Sequence, residues 1–152
     1  MDADERLFRE LYPALRRFAA VVAPSEDDPD DLVQEALART LARGPLVALD
    51  NPGAYLRRTI TNLSSNRRRS LGRWRRARRR LDTPVASEPE YPSDLGLLDS
   101  LVPLDRAIVY LVDVERRSAD EVAMMVDLSA GAVRSRASRA RRQLRELLGD
   151  DT

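Results

Sequence analysis

Residues 118–147 read SADEVAMMVDLSAGAVRSRASRARRQLREL, and this stretch decides the fold. Ser118-Ala-Asp-Glu121 is a capping box: the serine hydroxyl accepts the backbone N–H of Glu121 while the glutamate carboxylate reaches back to the cap. It opens a short helix bearing Val122, Ala123 and Val126. Asp127-Leu128-Ser129 reads as a tight turn, with Leu128 to plug a core and Ser129 to cap the next helix. That helix carries Val133, Ala137, Ala140, Leu144 and Leu147 at steps of 4, 3, 4 and 3, one narrow apolar stripe at 3.6 residues per turn, and Gly149 ends it. A short helix, a tight turn and an Arg-studded helix with one apolar face form the layout of a helix-turn-helix. The second helix presents Arg134, Ser135, Arg136, Ser138 and Arg139 in its first two turns, the part that enters a major groove. Arginine bonds guanine O6 and N7 or a phosphate, and serine serves either. A plain surface helix with solvated arginines is the bland alternative; capping box, turn spacing and one-sided charge together favour DNA.

Outward from this motif, the rest of the chain also reads as helices. Short helical runs are expected over residues 95–101 and 104–114. Before them, residues 82–94 hold Pro84, Pro89 and Pro92 with Ser, Glu and Thr and no apolar period, the signature of a linker. Upstream, Leu7, Phe8, Leu11, Leu15, Phe18 and Val22 recur at three- and four-residue steps until Pro24. Asp28-Pro29 and Asn51-Pro52 each give a cap followed by proline at the first helical position. The helix after Asp28 carries Leu32, Val33, Ala36, Leu37 and Leu41 to a stop at Gly44-Pro45, and the one after Asn51 runs through Tyr55, Leu56, Ile60 and Leu63 into an Arg-rich stretch. Nothing reads as a half-buried strand, and no repeat is visible. The expectation is an all-α chain with two small helical domains, residues 1–81 and 95–149, joined by a Pro-rich linker.

Charge divides along the same lines. Residues 1–50 hold 6 Arg against 11 acids, and residues 51–81 hold 11 Arg and no acid. Residues 82–127 return to 3 Arg against 11 acids, and 128–148 carry 6 Arg against Glu146 alone. The net charge of +1 therefore hides an acidic, basic, acidic, basic order, which suits two modules that each face an anionic polymer on one side and a protein on another. All 26 basic residues are Arg; composition bias explains that better than function, so position carries the argument and identity does not.

Cysteine and histidine are both absent. This removes disulfides, thiolate or imidazole metal sites, catalytic thiols and every His-based triad. No metal, no cofactor and no enzymatic activity are expected. The longest apolar runs are six residues, as at 18–23 and 107–112, far short of the ~20 that span a bilayer. An acidic start, Met-Asp-Ala-Asp-Glu, is unlike a signal peptide, so the expected location is the cytoplasm.

Two further segments carry candidate contacts. Asn62, Ser64, Ser65 and Asn66 precede the run Arg67, Arg68 and Arg69, so hydrogen-bonding side chains for bases sit beside cations for phosphate, with Tyr55 and Trp74 available to stack. Core packing is an equally good account of Trp74. The acidic helix puts Asp31, Gln34 and Glu35 within one turn beside Leu32 and Val33, a surface for a basic protein partner rather than for DNA.

The string Asp31-Leu-Val-Gln-Glu-Ala36, the stretch Pro52-Gly-Ala-Tyr-Leu-Arg-Arg-Thr-Ile-Thr-Asn62, the Pro-rich linker and Gly131-Ala-Val-Arg-Ser-Arg-Ala-Ser-Arg-Ala-Arg141 together resemble an extracytoplasmic-function (ECF) sigma factor of bacterial RNA polymerase. The resemblance covers nearly the whole chain in order. It implies an N-terminal domain for the polymerase clamp and the minus-ten promoter element, and a C-terminal domain for the minus-35 element. It places Asp31, Gln34 and Glu35 against core RNA polymerase, Asn62 on an unstacked base of the non-template strand, and Arg134, Ser135, Arg136 and Arg139 on promoter DNA. An inhibitory anti-sigma factor is a further implied partner. Asp127 stands where the family usually has Gly, Val112 where Arg is common, and Ala137 and Ser138 are smaller than the usual pair. A free-standing helix-turn-helix regulator, its acidic first half dimerising or binding another partner, is the runner-up, and a basic adaptor on RNA or membrane is the third reading.

Overall fold

Acids, asparagine, serine and proline set the helix starts, and the computed structural model describes residues 2–23, 27–79, 98 and 100–149. Helix α1 (Ala3–Val22) starts at Asp2, whose carboxylate accepts the N–H of Asp4, and it buries Leu15, Phe18, Ala19 and Val22. Helix α2 (Pro29–Leu41) is capped by Asp28, which accepts the Asp30 N–H at 2.9 Å, and proline fills the first position, where its missing donor costs nothing. A single 3₁₀ turn, Leu46–Ala48, drops Leu46 into the core. Helix α3 (Pro52–Arg79) is capped by Asn51, whose Oδ1 accepts the Ala54 N–H at 3.1 Å, and it continues through the arginine run. The expected cap-then-proline starts are all present, and no strand occurs among the described residues.

The second half holds α4 (Pro103–Val109), a π-helical turn (Tyr110–Val114), α5 (Ala119–Val126) and α6 (Ala130–Leu147). The apolar period predicts one regular helix over 104–114; instead the backbone widens after Val109. The Glu115 N–H donates to Tyr110 O at 3.0 Å, the Arg117 N–H to Leu111 O at 3.0 Å, and Arg116 closes the segment at φ 57°. Such a widened turn inserts one residue without breaking the helix axis. Here it turns Tyr110 toward Phe18, ring centroids 6.2 Å apart, while Leu111 stays fully buried.

One apolar cluster unites the halves. It takes Leu15, Phe18, Val22, Ile60 and Leu63 from the first and Ala107, Ile108, Leu111, Val122, Met125, Val126 and Val133 from the second. Helix α1 packs on α4, and α3 packs on both α4 and α5. A smaller cluster of Leu98, Leu101, Val109, Ala140 and Leu144 lies within the second half. The expected linker, 82–94, and most of the short helix expected over 95–101 lie outside the described residues. The stripe on α6 ends early: Val133, Ala137 and Ala140 are buried, whereas Leu147 is 50% exposed because the helix outruns the surface it packs on. Among the described residues no helix is long and apolar enough to cross a membrane.

Candidate nucleic-acid interface

The helix-turn-helix is built as its caps dictate. The Glu121 N–H reaches Ser118 Oγ at 3.2 Å, and the Ser118 N–H reaches Glu121 Oε1 at 3.5 Å. Asp127 then turns the chain in the left-handed conformation, φ 57° and ψ 50°, which a short polar side chain tolerates better than most. Leu128 packs half-buried on the main cluster, and Ser129 Oγ accepts the Ala132 N–H at 3.1 Å. On α6, Arg134, Ser135, Ser138 and Arg139 are exposed on one face, with Arg142 and Arg145 continuing it. Arg136 is different. Its Nη1 lies 3.0 Å from Asp105 Oδ1, so the guanidinium ties α6 back to α4. Arg141 ties α6 to the π-helical turn through two bonds to Asp113, at 2.9 and 2.6 Å, and these hydrogen bonds raise its pKa above the ordinary arginine value.

A second surface lies between α2 and α3. Tyr55, Arg58, Asn62 and Asn66 follow one face of α3, and Arg39 of α2 and Arg43 of the turn after it stand opposite, around a cavity of 470 Å³. That volume is in the range of small-molecule sites. Asn62 and Asn66, picked out from the sequence, are thus brought together with Tyr55. Ser64 is not among them: it is fully buried on the core side of α3 and cannot reach a base. Ser65 is half-buried, and Arg68, Arg69 and Trp74 are exposed, with Arg69 donating to Asn66 Oδ1. Arg39, Arg43 and Arg58 escaped the sequence reading because they lie outside the dense arginine run. The steps 55, 58, 62, 66 and 39, 43 are the helical signal that could have found them.

Arg67 turns away from the cavity. It bonds Asp27 at 2.9 Å and Glu35, joining the basic stretch to the acidic helix. Partial burial opposes its charge, but the bonds to Asp27 and Glu35 outweigh this and raise its pKa. A residue expected on DNA and a residue expected on the polymerase are therefore partners of each other. Glu35 also bonds Arg39 at 3.1 Å, while Asp31 and Gln34 remain exposed on α2.

Comparison with known proteins covers both halves of the chain. Residues 7–80 match the model of sigma-70 region 2, and residues 97–146 match sigma-70 region 4. The RNA polymerase sigma-E factor of Streptomyces coelicolor is 34% identical over 157 residues, spanning 95% of this chain and 85% of its own. The ECF RNA polymerase sigma factor EcfG of Rhodopseudomonas palustris is 30% identical, spanning 90% of this chain and 80% of its own. The chain belongs to the ECF sigma factors. Among solved structures, the sigma factor RpoE of Bartonella quintana, in complex with the anti-sigma factor NepR, superposes with a TM-score of 0.72 at 27% identity, covering 97% of this chain and 98% of that one. As a sigma factor, the protein directs RNA polymerase to promoters. The match to region 2 over 7–80 disfavours the free-standing regulator, whose acidic first half would dimerise or bind another partner.

Proposed function

We propose that this sigma factor divides its work between the two surfaces, residues 1–81 serving the polymerase and the minus-ten element and residues 95–149 the minus-35 element. Asn62 captures an unstacked non-template base in the α2–α3 cavity and so assists DNA opening. Arg68, Arg69 and the cavity arginines attract the strand by charge, and Asn66 supports the cavity wall. Arg134, Ser135, Ser138 and Arg139 meet the major groove. The observation that carries this reading is the convergence of Asn62, Asn66 and Tyr55 on one cavity bordered by three arginines. An amide offers a donor and an acceptor to a base edge, whereas a guanidinium supplies sequence-tolerant attraction to phosphate. The factor works in the cytoplasm by binding rather than catalysis, as a chain without histidine or cysteine suits. By analogy with the solved relative, an anti-sigma factor is its inhibitory partner.

Asn62→Ala tests the reading through open-complex lifetime on duplex and premelted promoters at one salt concentration. The defect is expected to persist on the premelted template and to shrink when the captured base is changed, because wild type then loses the same contact. Full rescue by premelting would exclude base capture.

Core RNA polymerase is assigned to the exposed part of α2. Asp31→Arg is expected to weaken core binding with no change in thermal stability, since an exposed charge contributes little to folding yet sets partner complementarity. Glu35→Arg is expected to lower stability as well, because it places a cation against Arg39 and Arg67. Titration of core enzyme with each variant, alongside its melting curve, separates the two; unchanged core affinity for Asp31→Arg rules out the clamp assignment.

A further inference from the structure

The seam between the halves contains charge as well as apolar side chains. Arg57 of α3 is 5% exposed, 3.9 Å from Glu115 on the far side, and its Nε makes no hydrogen bond. Arg106 Nη1 donates across to Ala23 O at 3.4 Å. A buried guanidinium with an unfilled donor is costly in a permanent core and is relieved when water returns, so this seam is suited to opening. Next to Arg57, Arg58 does two things at once. It lines the α2–α3 cavity, and its Nη2 lies 2.8 Å from the carboxylate of Asp127, the left-handed residue of the helix-turn-helix turn.

We propose that Arg58 binds a backbone phosphate of the single strand whose base enters the α2–α3 cavity, and that Asp127 occupies Arg58 in the closed form, so that strand entry and release of the C-terminal half are one exchange. The proposal rests on the cavity taking a base. A carboxylate and a phosphate present the same charge and the same paired acceptor oxygens to a guanidinium, so one replaces the other without rearranging the arginine. The pair is exposed, 44% at Arg58 and 66% at Asp127, which makes it weak, salt-sensitive and open to a competing anion. Opening also has a geometric reason. A compact chain of this length has a radius of gyration of about 15 Å. Two promoter elements some 25 base pairs apart are separated by roughly 85 Å of duplex. The closed form cannot reach both.

The absence of cysteine allows the exchange to be watched directly. Ala20→Cys and Glu146→Cys, both at exposed positions, take a pair of spin labels, one per half. The distance between them is measured in the full chain with and without a random-sequence 20-nucleotide single-stranded DNA pool at low salt, alongside affinity for that pool. Adding DNA is expected to lengthen the distance in the wild-type background. Asp127→Asn, which keeps a side chain suited to the left-handed turn, should tighten DNA binding about two- to fivefold and lower by the same factor the DNA concentration at which the distance lengthens. Arg58→Gln should weaken DNA binding and raise that concentration, and the double variant should bind no tighter than Arg58→Gln. If Asp127→Asn leaves both the affinity and that concentration unchanged, or still tightens binding when Arg58 is already Gln, the exchange is overturned. Base capture is read separately from Asn62→Ala: loss of its open-complex defect counts against the cavity reading while the Asp127 variants still report on the latch.

Discussion

Replacing Phe18 with alanine is expected to destabilise the whole molecule by about 3–5 kcal/mol, the usual cost of removing a buried phenylalanine from a packed core. Phe18 is fully buried, has the largest volume among the fully buried side chains of the described residues, and faces the ring of Tyr110 across the seam. The loss is therefore felt by α1 and by the π-helical turn together. Against a typical stability of about 5–15 kcal/mol this is a large fraction, and it exceeds any exposed ion pair of the surface by several-fold. Because one cluster joins Leu15, Phe18 and Ile60 to Ile108 and Val122, the denaturation curve is expected to shift as one transition. Circular dichroism, which averages over all helices, and the fluorescence of Trp74, a local probe on α3, should give the same midpoint. Two separate transitions, with only the first displaced, would show that the halves fold independently and that the seam adds little.

The second large effect separates two arginines that the sequence treats alike. Arg134→Ala is expected to cost about 1–3 kcal/mol of promoter binding, roughly ten- to a hundredfold, with relaxed preference at one base pair of the minus-35 element. Its side chain is exposed at the start of α6. Arg136→Ala is expected to act mainly on folding, since its guanidinium holds Asp105 and the loss leaves that carboxylate, 21% exposed, without its cation. Holoenzyme binding across a set of minus-35 variants, with melting curves for each protein, distinguishes the two. If Arg136→Ala relaxes base preference and leaves the melting temperature unchanged, the Asp105 pair must open on DNA and Arg136 is a reading residue after all. A phosphate contact at Arg134 would instead weaken every sequence alike and lower the salt slope by about 1.

The contrast between Arg134 and Arg136 illustrates where sequence reading stops. Both are arginines in the first two turns of the same helix, and period alone puts 136 nearer the apolar stripe without saying what it meets. Asp105 is 31 residues away, and only the packing of α6 on α4 brings them together. Ser64 fails for a related reason. It sits between Asn62 and Asn66 in the chain, yet on a helix two residues are about 200° of turn, so it faces the core while they face the cavity. The π-helical turn over Tyr110–Val114 was equally invisible, because Leu104, Ala107, Ile108 and Leu111 keep the same apolar spacing with or without the extra residue.

What the amino-acid order determined by itself was the placing of caps, breaks and apolar faces, which depends on near neighbours. Caps at Asp28, Asn51, Ser118 and Ser129 act within three residues, proline removes a donor at a known place, and the apolar period selects a buried face; so the helices, the helix-turn-helix and the family were all legible. The pairings between distant charges belonged to the tertiary structure. Arg67 with Glu35, Arg57 with Glu115 and Arg58 with Asp127 join residues 32 to 69 positions apart, and a chain with 26 arginines and 25 acids offers far too many combinations for spacing to choose among them. Burial of the apolar faces selects them, since packing α3 on α2, α4 and α5 decides which guanidinium lies opposite which carboxylate and how much water each keeps.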